Sequence, residues 1–144
     1  ASFLRTFLKY TRFNDNAAEY HIGVIGHNPF KGFLKNVVKK EVNGRKIKLM
    51  FFGENHQAAI SQKCHILFIA QSETFNQKEL INKLISAQTI IVGDNKWFIQ
   101  EGGMINFITH SKGIRWTVNN TALENKKFQI SSKILRLAVK GISK

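Results

Sequence analysis

The chain has 144 residues, 43% of them apolar, and its 22 Lys and Arg against 9 Asp and Glu leave a net charge of +13. That length suits one domain, 1–144, with a sizeable core; the apolar content excludes a disordered chain, and no apolar run is long enough to cross a bilayer. The charge favours an anionic partner over a neutral one, set against the plainer reading of a solvated, lysine-rich surface.

Phe3, Leu4, Phe7 and Leu8 recur at helical spacing, with Arg5, Lys9 and Arg12 on the other side. They predict a helix within residues 2–13, packed on the core by its aromatics. The opening Ser2-Phe3-Leu4-Arg5 reads as part of that helix and not as a signal peptide, although a matured chain would begin the same way. Asn14-Asp15-Asn16 reads as a loop, and Tyr20 to Gly26 as a first strand. Asn28 suits an N-cap and Pro29 a first helical position, which predicts a helix from Pro29 to Lys40. Phe30, Phe33, Leu34, Val37 and Val38 would face inward, and Lys31, Lys35 and Lys39 would form an outward basic stripe.

Val42 to Arg45 reads as a turn and Ile47 to Phe52 as a second strand. Glu54 to Lys63 is polar, a short helix or loop. Cys64 to Ala70 is nearly all apolar, as in a central strand buried on both faces. Cys64 is the one cysteine, so it excludes an intrachain disulfide and a multi-cysteine zinc site; it reads as a small buried hydrophobe. Thr74 with Gln77 fits a capping box ahead of a helix that presents Leu80, Ile81, Leu84 and Ile85 and ends near Ala87. Thr89 to Val92 is a further buried strand, closed by Gly93-Asp94-Asn95.

Gly102 and Gly103 then break the chain, and Met104 to Ile108 alternates in the manner of a strand. Ser111-Lys112-Gly113 reads as a turn and Ile114 to Asn119 as the second arm of a hairpin. Asn106 is an amide inside an apolar strand; its expected partner is a nearby loop backbone, with a ligand as the other option. Asn119 to Lys127 is polar and compatible with a helix start, and a last helix is predicted from Ser131 to Ala138. The order of elements predicts an α/β domain: a mostly parallel or mixed central sheet, helices on both faces, and a C-terminal β-hairpin plus helix.

Ligands in open α/β sheets sit outside the carboxyl ends of strands. By that rule His27, Asn28, Ser72 and Asp94 are the candidate ligand-binding residues, and a helix starting at Pro29 would offer its N-terminus to an anion. The competing reading makes the same residues caps and turn formers. The glycines of Gly23-Val24-Ile25-Gly26 lie within a strand and do not match a dinucleotide fingerprint, and no phosphate-binding loop follows. The five histidines are dispersed, which gives no metal site, and no nucleophile can be grouped with a base. The sequence therefore favours a protein that is not an enzyme and needs no cofactor. Nucleic acid is disfavoured, because the phenylalanines between the lysines of residues 29–40 match a core face and Arg115 with Trp116 alone makes a thin stacking platform.

Several blocks in one register then carry a resemblance: Phe7-Leu8-Lys9-Tyr10, Val24 to Phe30, Val42-Asn43-Gly44-Arg45, Cys64 to Ile69, Gly102-Gly103-Met104-Ile105-Asn106-Phe107, and Ile130 to Ala138. In that order and spacing the chain resembles the YfiR-like family, from about Phe3 to Val139. The resemblance implies a small α/β domain of the periplasm that regulates and does not catalyse. The family's namesake represses a membrane diguanylate cyclase by binding its periplasmic part, which lowers cyclic di-GMP and restrains biofilm formation. The implied partner is thus the extracytoplasmic domain of a membrane signalling protein, a cyclase or kinase; a small ligand and a homodimer stay open. Gly102, Gly103, Met104 and Asn106 are the most recognisable motif. Three departures are visible: the namesake's branch has paired cysteines where Cys64 stands alone, Arg12-Phe13-Asn14 replaces the Trp-Pro that often follows the first helix, and the net charge of +13 is not expected of the family. The alternative is a flavodoxin-like domain binding a nucleotide or other small ligand at the strand ends.

Overall fold

The computed structural model describes residues 2–84, 87–110, 113–124 and 128–137. Helix α1 (Ser2–Lys9) is followed by a two-residue strand β1 (Thr11–Arg12) and then by β2 (Glu19–Ile25). A short α2 (Leu34–Val37) leads to β3 (Lys46–Gly53), α3 (His56–Gln62) and β4 (Ile66–Ile69). Helix α4 (Gln77–Leu84), β5 (Ile90–Gly93), and the hairpin of β6 (Ile105–His110) and β7 (Gly113–Val118) come next. The chain closes with α5 (Asn120–Glu124), β8 (Gln129–Ile130) and α6 (Ser132–Leu137).

The main sheet has the order β3-β2-β4-β5-β6-β7, and β1 pairs with β8 in a separate antiparallel ribbon. Every neighbour in the main sheet is parallel except β6 and β7. This is the expected α/β domain. The chain steps from β2 outward to β3, returns past β2 to β4, and continues to β7. Right-handed crossovers then place α2 on one face and α3 with α4 on the other.

The central strands β4 and β5 are buried along their whole length because helices cover both faces. Leu4, Phe7 and Leu8 of α1 are fully buried, and each such side chain contributes about 1.5–3 kcal/mol by leaving water. The α1 aromatics meet the hairpin directly: Phe7 lies edge-on to Trp116 at 5.3 Å and stacks on Phe107 at 5.9 Å, and Phe3 tilts onto Phe107 at 5.5 Å. Trp116 sits under α6, where its indole N–H donates to the Ile134 carbonyl at 3.3 Å. Gly23 leaves room inside β2, since a Cβ there would stand 2.6 Å from the Phe52 ring and 2.8 Å from Cys64 Sγ. Burial pushes the Cys64 thiol up to about 11, as expected for an inert core thiol.

Several predicted elements change. The first helix stops at Lys9, and Thr11 and Arg12 form β1 instead. No helix spans Pro29 to Lys40. Lys31 takes a left-handed backbone (φ 52°), residues Lys31–Phe33 form a 3-10 turn, and only Leu34–Val37 are α-helical. Phe33, expected inside, is 65% exposed. Asn28 caps no helix: its side-chain oxygen accepts from the Phe30 N–H at 2.8 Å, and its amide donates to the Lys31 carbonyl at 3.3 Å. The capping box is also absent, because Gln71–Asn76 is a 3-10 segment in which the Thr74 hydroxyl donates to the Gln71 carbonyl. Glu54 to Lys63 resolves into α3, with the Asn55 side chain accepting from the Ala58 N–H and Lys63 closing it in a left-handed conformation. Ser111 and Lys112 of the predicted turn, Ile85, Asn125 to Lys127, and the chain from Ala138 onward lie outside the described residues.

Candidate functional site

The topology places the expected crevice where β2 and β4 lie side by side, since the chain leaves β2 in one direction and returns past it in the other. The carboxyl ends of β2, β4 and β5 do meet there. The His27 N–H donates to Ser72 Oγ at 2.9 Å, and the Gln71 side chain donates to the Asp94 carbonyl at 3.0 Å. The meeting is a closed contact. Gly26 (φ 91°) presses so near the Ser72 turn that a Cβ would stand 2.6 Å from Ser72 Oγ and 2.9 Å from Glu73 Cγ. His27 is exposed and Asn28 is turned into its own loop. A neighbouring cavity of about 460 Å³ is lined by Ser72 with Glu54, His56 and Glu73, and not by His27, Asn28 or Asp94. Lys31, Lys35 and Lys39 are exposed, yet the left-handed turn at Lys31 breaks the regular stripe.

Asp94 is half-buried, and one of its carboxylate oxygens has no hydrogen-bond partner among the described residues. Burial pushes its carboxyl above the usual range. In the neighbouring cavity, His56 Nε2 and Glu73 Oε1 stand 2.5 Å apart, with Glu73 buried.

The Gly102-Gly103 motif has a steric origin. Gly102 takes φ 105°, and a Cβ on Gly103 would fall 2.1–2.6 Å from three ring atoms of Phe98. Gly93 approaches the same ring from β5, where a Cβ would lie 2.4 Å away. The Phe98 ring is fully buried in a slot between two glycines. Met104 is buried alongside and donates its N–H to the Ile91 carbonyl at 3.2 Å. The Asn106 side chain accepts from the Asn95 N–H at 3.1 Å, a bond to loop backbone. Asn95 in turn exchanges amide hydrogen bonds with Gln77, which also donates to Glu101 at 2.6 Å. These amides tie α4 and the β5–β6 connection into one unit.

A second polar cluster lies at the other end of the sheet, and sequence reading missed it. His65 precedes β4, Arg45 precedes β3, and Asp15 precedes β2. The two oxygens of Asp15 reach His65 Nε2 at 2.6 Å and Arg45 Nη1 at 2.8 Å. The His21 N–H donates to His65 Nδ1 at 3.0 Å. That backbone donor fixes the tautomer: Nε2 carries the proton and donates a hydrogen bond to Asp15. Burial is the main cause holding the His65 imidazole below its usual value, against the opposite pull of Asp15. Burial also raises the Asp15 carboxyl, but the hydrogen bonds and charges of His65 and Arg45 outweigh it and hold the group below the usual carboxylate range. A neutral imidazole thus faces an ionised carboxylate at neutral pH. Both ring nitrogens are engaged, so this pair has no free nitrogen with which to take a substrate proton, and it reads as a structural clamp. Phe13 and Tyr20 pack edge-on to the imidazole at 4.8 and 5.3 Å.

Among the described residues, no group of three His, Cys, Asp or Glu is placed to hold a metal ion, and no helix is long and apolar enough to cross a membrane. The strand order, with one antiparallel edge hairpin, defines an open α/β domain of the doubly wound, flavodoxin-like kind. The chain belongs to the YfiR/HmsC-like family, whose profile matches residues 1–139. A search of curated proteins finds no match.

Proposed function

We propose that this chain is a non-enzymatic periplasmic regulatory module. It binds the extracytoplasmic part of a membrane signalling protein, a diguanylate cyclase or kinase, and so modulates cyclic di-GMP signalling. The observation that carries this reading is the family match across nearly the whole chain.

The distribution of exposed apolar side chains supports it. Among the described residues five large apolar side chains are exposed: Phe33, Phe51, Phe75, Trp97 and Leu135. Phe33, Phe75 and Trp97 belong to the segments that follow β2, β4 and β5, and Phe51 lies near the end of β3. Four aromatics thus stand toward the carboxyl end of the sheet, with Phe75 98% exposed. Exposed aromatics of this kind serve as anchors in partner interfaces. The net charge of +13 suits a partner with an acidic surface, where rim charges speed association and respond to salt.

Pull-down from an envelope fraction with the tagged chain tests the reading, and recovery of a membrane cyclase or kinase is expected. A double variant, Phe75→Ser with Trp97→Ser, should retain the parent melting temperature and recover less than about a tenth of that partner, since anchor truncation costs on the order of 2 kcal/mol or more. Recovery of cytosolic nucleic acid alone overturns the function; undiminished recovery by the variant overturns the docking face.

A further inference from the structure

A different chemistry occupies the amino end of the sheet. Between the end of α1, the β1–β8 ribbon and the starts of β2 and β3 lies an open cavity of about 630 Å³. Its lining includes the cations Lys9, Arg12 and Arg45 and the hydroxyls of Tyr10, Tyr20 and Ser131, and no acidic side chain. Lys133 stands at its side, with Nζ 3.1 Å from the Tyr10 hydroxyl and 4.8 Å from the ring centroid. Lys9 Nζ is 5.5 Å from the same ring.

The positive charge here is largely uncompensated. Among the described residues, Lys9, Arg12 and Lys133 have no carboxylate within 4.0 Å. The nearby Asp15 is taken by Arg45 and His65. Tyr10 registers the field: the hydrogen bond and charge of Lys133, and then the charge of Lys9, pull its phenol below the ordinary value. The lining residue Thr11 also carries a buried hydroxyl with no hydrogen-bond partner among the described residues. Part of the wall is tied down. Arg45 is held by Asp15 and lies 4.8 Å over the Tyr20 ring, and the Asn43 amide bonds the Tyr20 hydroxyl and the Leu8 and Lys9 carbonyls. Such preorganisation lowers the entropy lost when a ligand binds.

We propose that this cavity binds a small phosphorylated organic anion. Lys9, Arg12 and Lys133 hold the phosphate, and the Tyr10 ring with the Ser131 hydroxyl receives the uncharged part. Cations that lack carboxylate partners gain most from a phosphate, which accepts several charge-assisted hydrogen bonds at once. The volume lies within the range of about 300–1,000 Å³ typical of small-molecule sites. The site stands on its own geometry, at the end of the sheet away from the proposed docking aromatics.

Calorimetric titration of the chain with glucose 6-phosphate, followed in parallel by the NMR signals of the tyrosine rings, tests the assignment. Saturable binding with shifts of the Tyr10 signals is expected, with none for glucose. The double variant Arg12→Glu, Lys133→Glu alters exposed side chains, so it should melt with the parent and bind at least tenfold more weakly. Absence of saturable binding, or undiminished binding by that variant, overturns the site. Stronger binding to phosphatidylglycerol vesicles, lost in the same variant, upholds a phosphate site and overturns a free small molecule as its source. Failure on every arm leaves the regulatory reading intact, because the pull-down reports on the other end of the sheet.

Discussion

At the carboxyl end of the sheet the chain closes by steric contact; at the amino end it closes by charge. Gly26 against Ser72, and the Phe98 ring between Gly93 and Gly103, leave no room for a single methyl group. The opposite end is spanned by Asp15 with His65 and Arg45, and beyond them it opens into a cavity. The end where doubly wound sheets ordinarily receive ligands is thus packed shut at its switch point, with aromatics left outside it, while the end that ordinarily serves stability carries a cavity lined by cations. In this fold, location alone does not identify a site. What marks one here is an open cavity whose cations Lys9 and Arg12 lack carboxylate partners among the described residues.

The largest expected effect tests the steric end. Gly103→Ala puts a Cβ within 2.1 Å of the Phe98 ring, and neither the ring nor the glycine slot can move without opening the core. A loss of about 3 kcal/mol is expected, the upper end of overpacking costs. The same change at Gly44, on the amino side, meets nothing within 4 Å and is strained only by its φ of 78°, so about 1 kcal/mol is expected. Denaturant unfolding of both variants checks the contrast. Adding Phe98→Leu to Gly103→Ala should recover part of the loss, and no recovery would show that the glycine acts through something other than the ring.

Next in size is the charged end. Asp15→Asn leaves Arg45 without its carboxylate and weakens the bond from His65, so about 2 kcal/mol is expected. The sign of the pH dependence follows from the two shifted groups. His65 titrates lower in the folded chain than when unfolded, so below about pH 6.5 the unfolded chain takes up a proton that the folded chain refuses. Asp15, held low, contributes stability that is complete above its unfolded value and lost as pH falls through its folded one. Both groups therefore weaken the fold on acidification, and neither opposes the other. A His65→Gln variant should be less stable at pH 7 and lose stability more gently than the parent between pH 6.5 and 5. Parallel slopes would remove His65 from the account.

These two ends also differ in how far they are legible in the amino-acid sequence. The strands that build the sheet are local apolar runs, so β2, β3, β4, β5 and the hairpin are readable within short windows. The Gly-Gly pivot is visible for the same reason, although the ring it accommodates is not. Asp15, Arg45 and His65 lie 30 and 50 positions apart along the chain, and nothing local marks them beyond a histidine standing ahead of an apolar run. Between Pro29 and Lys40 a local signal misleads. The apolar spacing is helical there, but Asn28 bonds its own loop and Lys31 adopts a left-handed backbone, so Phe33 is turned out to solvent. Periodicity reports what a segment would bury as a helix, and loop hydrogen bonds decide whether the helix begins.

Smaller effects separate the two kinds of polar contact at the carboxyl end. Asn106→Leu removes the acceptor of the Asn95 N–H, a half-buried bond, so about 1–2 kcal/mol should be lost. Loss of partner binding at unchanged stability would instead make Asn106 part of the interface. Ser72→Ala removes the acceptor of the His27 N–H, but His27 is exposed and water can replace the hydroxyl. The expected loss is therefore at most about 0.5 kcal/mol, the range of surface changes away from special features. Its value lies in the comparison with Gly26. The hydroxyl stands 2.6 Å from where a Cβ on that glycine would project. If shape closes the β2–β4 junction, Ser72→Ala will leave the melting temperature nearly unchanged while Gly26→Ala lowers it sharply. Comparable losses in both would show that the hydrogen bond, and not the fit, holds the two strand ends together.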